Sequence, residues 1–406
     1  MTLRFLVLLI WWRHRRVIQL SLFLLVGSGA LAQSPTPFSC STGLAYILTN
    51  PTTNANGNIT SLYSFNLSTG AATLIKDGVL PEPNRFLNGF GYNIVDNFIY
   101  GYRYNTSQIV RLGSNGDVET LPVIGLATNG SYATGDVSPN GVLYLYGSNS
   151  VVAVNLSNPV TSLLAVTRLS GATATSALSG LNDWAFSPID GKIYGVTANK
   201  ALVSYDPVAN TATRIGAVAG LESQSGSFGA IFMDGNGTMY IGNNTSGNIY
   251  RISAPHLATG NVTATFFSNS LAGRNPGDGA RCPNQIIPPS TTNDLACVAT
   301  ASTTASVSVT ANDVAGSYPI NSASVRLVDP TSGAPVTSVT IAGQGTYSVN
   351  TTTGVITFTP QAAYVRSFIT YVVSDNQGNI SSPATLTVIC SECQLCPQVS
   401  LRKIAR

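Results

Sequence analysis

The sequence predicts an all-β chain: a five-bladed β-propeller, with six or seven blades as alternatives, followed by an immunoglobulin-like β-sandwich. Three observations carry that expectation. A tyrosine-marked unit recurs along the first two thirds of the chain, a run of short alternating strands follows it, and the composition favours strands and turns. Charged residues make up only 9% and glycines number 38 in 406 residues, which is poor material for exposed helices and good material for turns. A chain of this length suits two folded units rather than one.

The repeat comes first, because a period of forty to fifty-odd residues marks a propeller or a solenoid. The segments beginning at Gly43, Asn97, Gly141, Gly191 and Gly237 each place a tyrosine in an apolar strand after a turn. These are Tyr46, Tyr100, Tyr144, Tyr194 and Tyr240, spaced 54, 44, 50 and 46 by subtraction. A second alternating strand follows most of them, at Ser107, Asn149, Lys200 and Gly247, and at Ser61 in the first unit after a polar insertion around Pro51 to Asn58. Another strand runs upstream of each tyrosine, in NGFGYNIV, ATGDVSP, NDWAFSP and GSFGAIFMD, closed by an Asn/Asp/Gly turn. Four strands per unit is the blade of a propeller.

The first unit lacks an upstream strand, whereas the last is followed by an orphan copy, PGDGARCP, at Pro276 to Pro283. Closing the ring by lending the orphan to the Tyr46 blade brings Cys40 and Cys282 together. A bond there closes a long loop, worth on the order of 5 kcal/mol in the chain-entropy view, as an upper value.

Domain limits follow from composition. Residues 1–32 read as a signal peptide: a basic segment ending at Arg16, an apolar run from Val17 to Val26, and Ala30-Leu31-Ala32 before Gln33. Arg4, Arg13, Arg15 and Arg16 carry more than the whole formal charge of +3, so the remaining chain is near neutral, and no basic patch points to nucleic acid. No later stretch approaches the length of a transmembrane span, so a secreted or cell-surface protein is expected. The propeller is assigned to 38–283, a Pro- and Ser/Thr-rich linker to 284–293, the sandwich to 294–390 and a cysteine-containing tail to 391–406. Export makes disulfides the default for all six cysteines. Cys297 and Cys390 bracket the sandwich and are expected to pair, and Cys393 and Cys396 suit a local disulfide better than a metal, for want of a fourth ligand.

Two resemblances can be named on these residues. The Tyr-centred units, the DWAFSP segment at Asp183 and DGARC at Asp278 resemble an uncharacterised β-propeller domain of bacterial secreted and surface proteins, over roughly residues 40–283. The segments Val325 to Pro360 and Ile369 to Asn379 resemble the CshA-type fibril repeat and related Ig-like surface modules. The resemblance implies a surface protein and supplies no catalytic residues.

Candidate site residues come from the place where propellers hold ligands, the mouth of the central channel. Asp136, Asp183 and Asp278 lie on the upstream strands of three different units, so their carboxylates could ring the channel, hold Ca²⁺ or serve as a glycosidase pair. The competing reading, that they bond backbone N–H groups, is the preferred one. Trp184 offers a stacking face for a sugar, but packing between blades is the better account of an aromatic there. The Asp234-Gly-Asn-Gly and Asp375-Asn-Gln-Gly segments lack the alternating ligands of an EF-hand and read as turns. No nucleophile elbow, phosphate loop or dinucleotide fingerprint is present. The expected function is therefore non-enzymatic binding or adhesion to a glycan, a peptide or a surface protein, with the sandwich as spacer. The alternative is a carbohydrate-active hydrolase using two of the three aspartates.

Overall fold

In the computed structural model, residues 34–390 are described except for stretches at 42–43, 50–52, 55–56, 59, 81–86, 105, 124–125, 127–130, 148, 157–161, 169–175, 270–275 and 362–365. The expected signal peptide and tail, with Cys393 and Cys396, lie outside the described residues. What is described is built of strands, with a 3-10 turn at Pro255–Leu257 and two helical residues at 176–177.

Five antiparallel sheets follow the tyrosine units. The second runs Leu87–Asn93, Phe98–Arg103, Gln108–Leu112, Val118–Pro122, and the third Thr134–Val137, Val142–Gly147, Ser150–Asn155, Ser162–Arg168. The fourth runs Leu181–Phe186, Ile193–Thr197, Ala201–Asp206, Thr211–Ala219, and takes Val262–Thr263 as a parallel fifth strand. The fifth runs Phe228–Met233, Met239–Asn243, Ile249–Ile252, Thr265–Ser268. Chain order is broken only in the first, where the late strand Pro276–Ala280 pairs with Leu44–Thr49, ahead of Ser61–Asn66 and Ala72–Lys76. The register sets Tyr46 opposite Ala280. Beside that pair, Cys40 and Cys282 form a disulfide, with Cα atoms 5.5 Å apart and a sequence separation of 242.

Each sheet buries both faces, because the apolar clusters lie between sheets rather than inside them. Tyr46 and Leu48 pack with Phe90 and Ile99 between the first and second sheets, whereas Ala45 and Ile47, on the opposite face of the same strand, pack with Phe232 and Ile249 of the fifth. Corresponding layers join second to third, third to fourth and fourth to fifth sheets. The leading strands touch in one closed cycle, Pro276–Ala280 with Leu87–Asn93, then Thr134–Val137, Leu181–Phe186, Phe228–Met233 and back to Pro276–Ala280. A strand buried on two faces needs apolar residues of both parities, which is why these strands read as apolar runs and not as strict alternation.

The repeated tyrosine has a physical cause. Tyr100 donates its hydroxyl to Asp96 Oδ2 at 2.6 Å and Tyr194 to Asp190 Oδ2 at 2.6 Å, each clamping the turn that leads into its own strand. Tyr240 donates likewise to Asp234 Oδ2 at 3.0 Å. These phenols are buried, and burial together with the facing carboxylate pushes their ionisation far above the ordinary range.

The described residues from 294 to 390 form two sheets over one core. One is ordered Asp294–Val298, Ala384–Cys390, Arg366–Asp375, Ile320–Val328, Pro335–Val336, and the other Ala305–Val307, Ile356–Pro360, Gly345–Val349, Ser338–Ile341. Leu327, Tyr371 and Leu386 of the first meet Tyr347, Ile356 and Phe358 of the second, all fully buried. The expected Cys297–Cys390 bond is not formed. The two strands run parallel with Cys297 opposite Ile389, and alternation puts Cys297 on the outer face while Cys390 keeps its thiol in the core. Cys297 is itself disulfide-bonded. The stretch expected as an extended linker is also held closely: Ile287 is fully buried in the layer between the first and fifth sheets.

Candidate functional site

All three candidate aspartates stand on leading strands, the ones that form the inner cycle. A leading strand has a partner on one side only, so its other edge carries N–H groups with no ladder partner. The aspartates meet that need across the gap between neighbouring sheets. Asp278 Oδ1 accepts the N–H of the next residue, Gly279, at 2.6 Å, and Oδ2 accepts that of Phe90 in the second sheet at 2.8 Å. Asp136 accepts Val137 N–H at 2.7 Å and Phe186 N–H, in the fourth sheet, at 2.7 Å. Asp183 Oδ2 accepts Ile231 N–H, in the fifth sheet, at 2.6 Å. The junctions of first with second, third with fourth and fourth with fifth sheets are thus each spanned by one carboxyl group. At the junction of second with third the backbones approach directly: a Cβ on Gly91 would lie 2.3 Å from Val137 N.

Asp183 and Asp278 are fully buried. Desolvation raises both well above the usual carboxyl range, and the three acids, facing one another, add to the effect. Burial lifts Asp136 to about 7, against the pull of its two N–H donors. The remaining oxygen, Asp183 Oδ1, is buried without a hydrogen-bond partner, which suits a protonated carboxyl better than a carboxylate. Among the described residues, no group of three or more His, Cys, Asp or Glu side chains is placed to hold a metal ion.

Trp184 is 1% exposed. Its ring lies between Tyr205, stacked at 5.7 Å, and Tyr146 at 5.8 Å, so its faces are taken by protein. The two calcium-like segments are turns: Asp234 Oδ1 accepts from Asn236 and Thr238, and Asp375 Oδ1 from Gln377 and Asn379. A separate cleft of about 370 Å³ opens on the sandwich, lined by Val328, Ile341, Gln344, Phe368 and Thr370 among others, and no carboxylic acid is among its lining residues.

Sequence reasoning placed the three aspartates on inner strands but missed their acceptors' donors, which lie 50 residues on for Asp136, 48 for Asp183 and 188 back for Asp278. The first two separations are one repeat length, and that was the available signal. It also missed a second polar cluster around Asp234, where Tyr240, Arg281, Arg251 and Ser317 converge.

Among the described residues no helix is long and apolar enough to cross a membrane. Among solved structures, the chain is similar to a gluconolactonase from Xanthomonas campestris at 10% identity and a TM-score of 0.38, covering 86% of this chain and 96% of that one. It is also similar to a virginiamycin B lyase from Staphylococcus aureus (12% identity, TM-score 0.33, 55% and 70% covered) and to a protein of unknown function from Bacteroides caccae (13%, 0.34, 58% and 98%). No curated protein matches. Residues 289–388 match the surface adhesin CshA repetitive domain, which together with the Cys40–Cys282 disulfide fits an extracellular or surface protein. Residues 50–284, more than half of the chain, match the repeat of unknown function DUF6923, and the chain belongs to that family.

Proposed function

We propose that the five sheets are the blades of a five-bladed β-propeller, that the remainder is an immunoglobulin-like sandwich, and that the whole works outside the cell as a non-enzymatic binding or adhesion protein. The propeller is the recognition module for a glycan, a peptide or a surface protein, and the sandwich is its spacer. One observation carries this reading: the three acids that could have formed a catalytic pair are instead engaged as acceptors for N–H groups of neighbouring sheets. A general acid or base must reach a substrate proton, and fully buried Asp183 and Asp278 do not. The adhesin repeat over residues 289–388 supports the surface role.

The hydrolase reading has one observation in its favour, the lift of Asp136 to about 7, a range useful to a general acid. The two readings separate on a polysaccharide panel and a glycan array run with wild type and Asp183→Asn. The binding reading expects array or cell-surface binding in both proteins and turnover in neither. Hydrolysis that disappears in Asp183→Asn while the fold persists would establish the enzyme instead.

A further inference from the structure

We infer that the sandwich is latched to the turn of the fifth sheet through Ser317, so that propeller and sandwich move as one body rather than as two beads on a tether. The inference is independent of what the propeller binds.

The receptor is the turn after Phe228–Met233. Its Asp234 Oδ2, already bonded to Tyr240, also accepts the Ser317 hydroxyl at 2.7 Å, and both side chains are buried. That hydroxyl in turn accepts the Ile287 N–H at 2.6 Å, while Ser317 N–H donates back to Ile287 O at 2.8 Å. Around this centre every strand of the crossing is bonded to another. Asn236 Nδ2 donates to Ser317 O at 3.0 Å, Gly235 N–H to Gln285 O at 3.1 Å, and Ser290 and Val314 exchange a reciprocal pair at 2.9 Å. The Arg251 guanidinium, on the fifth sheet, donates to Ala315 O at 2.9 Å and Gly316 O at 3.1 Å. Beneath these bonds Ile287 is sealed in the apolar layer between fifth and first sheets, with Val314 packed against it.

A tether would leave these backbone groups to water; here the Ser317 hydroxyl, the Asn236 side-chain amide and the Arg251 guanidinium take them up, with buried Asp234 holding the serine hydroxyl, and burial makes each such bond costly to break. Two glycines allow the approach. A Cβ on Gly316 would lie 1.9 Å from Ile287 O, and one on Gly235 would lie 2.8 Å from Asn284 O. The positions matching Gly235 in the second, third and fourth sheets are Ile94, Pro139 and Pro188, whose side chains would fill that space. The fifth turn is therefore the one of these four shaped to receive the sandwich, and the propeller is carried at a fixed orientation.

Amide hydrogen exchange on the full chain tests this. In wild type, the Ile287 and Ser317 amides should be protected to the level of the surrounding strands. Ser317→Ala should speed exchange about tenfold or more across residues 284–293 and 313–318, the effect of losing one buried hydrogen bond, with the core amides of Tyr347 and Phe358 unchanged. Arg251→Met, which removes the guanidinium bonded to Ala315 O and Gly316 O, should act in the same direction by a smaller factor, and it serves if Ser317→Ala does not fold. Ile287 and Ser317 amides exchanging at loop rates in wild type, or protected equally in wild type and both variants, would overturn the latch.

Discussion

Two sets of aspartates, at the axis of the ring and at its turn rim, solve opposite problems with the same side chain. At the axis, Asp136, Asp183 and Asp278 accept backbone N–H groups from the next sheet. On the rim, Asp96 and Asp190 accept a tyrosine hydroxyl from their own sheet, four residues downstream. Rim carboxylates fix a hairpin; axial ones fix one sheet to another. The physical difference is solvent. Burial raises Asp136 to about 7 and holds Asp183 and Asp278 well above the ordinary carboxyl range, so the axis favours a neutral carboxyl over a charged one.

The harshest way to break this comparison is Asp278→Ala. It orphans the buried Phe90 and Gly279 N–H groups, which at roughly 1–3 kcal/mol for each buried unsatisfied group is about 2–6 kcal/mol. Urea denaturation should register that loss, while Asp96→Ala on the rim should cost clearly less. Next comes pH. Each axial acid has its folded-state pKa raised above the unfolded value, so its stabilisation is complete below about pH 4 and is lost as pH rises; for Asp136 the window runs from about 4 to about 7. Thermal melts should therefore show stability falling through that window, and Asp136→Asn should flatten the slope; an unchanged slope would mean that Asp136 ionises freely in the fold. A smaller effect is expected at the rim. Tyr100→Phe and Tyr194→Phe each remove one hydrogen bond to a carboxylate, worth roughly 1.5–3 kcal/mol at most, which urea denaturation should read. Smallest of all is Tyr144→Phe. The residue four places before Tyr144 is Asn140 rather than an acid, so a change within about 0.5 kcal/mol is expected; a loss as large as at Tyr100 would show that the clamp is not what the tyrosines share.

The sequence made the repeat legible because tyrosine, turn and strand recur locally, and the closure legible because an orphan strand and two cysteines were left over at opposite ends. The turn clamp was harder to see. Its acid stands four residues before Tyr100 and Tyr194 but six before Tyr240, and the Tyr46 and Tyr144 units carry none at four, so no single spacing announces it. The role of the axial acids depends on a partner one repeat away, which exists only once the sheets are set side by side. The Pro- and Ser/Thr-rich stretch at 284–293 looks like a free linker by composition, and nothing local reveals that Ile287 is buried. The cysteine pairing failed for a related reason: the parallel register that places Cys297 and Cys390 on opposite faces is a tertiary fact.

The axial carboxyls act as neutral struts, and the stability of Asp183→Asn relative to wild type between pH 4 and pH 8 tests that most directly. Asparagine keeps a carbonyl oxygen for the Ile231 N–H and mimics a protonated acid. The variant is expected to gain on wild type steadily as pH rises, the difference being most in its favour at pH 8. A variant that instead falls further behind wild type as pH rises would contradict the account, because it would mean that the fold uses the negative charge.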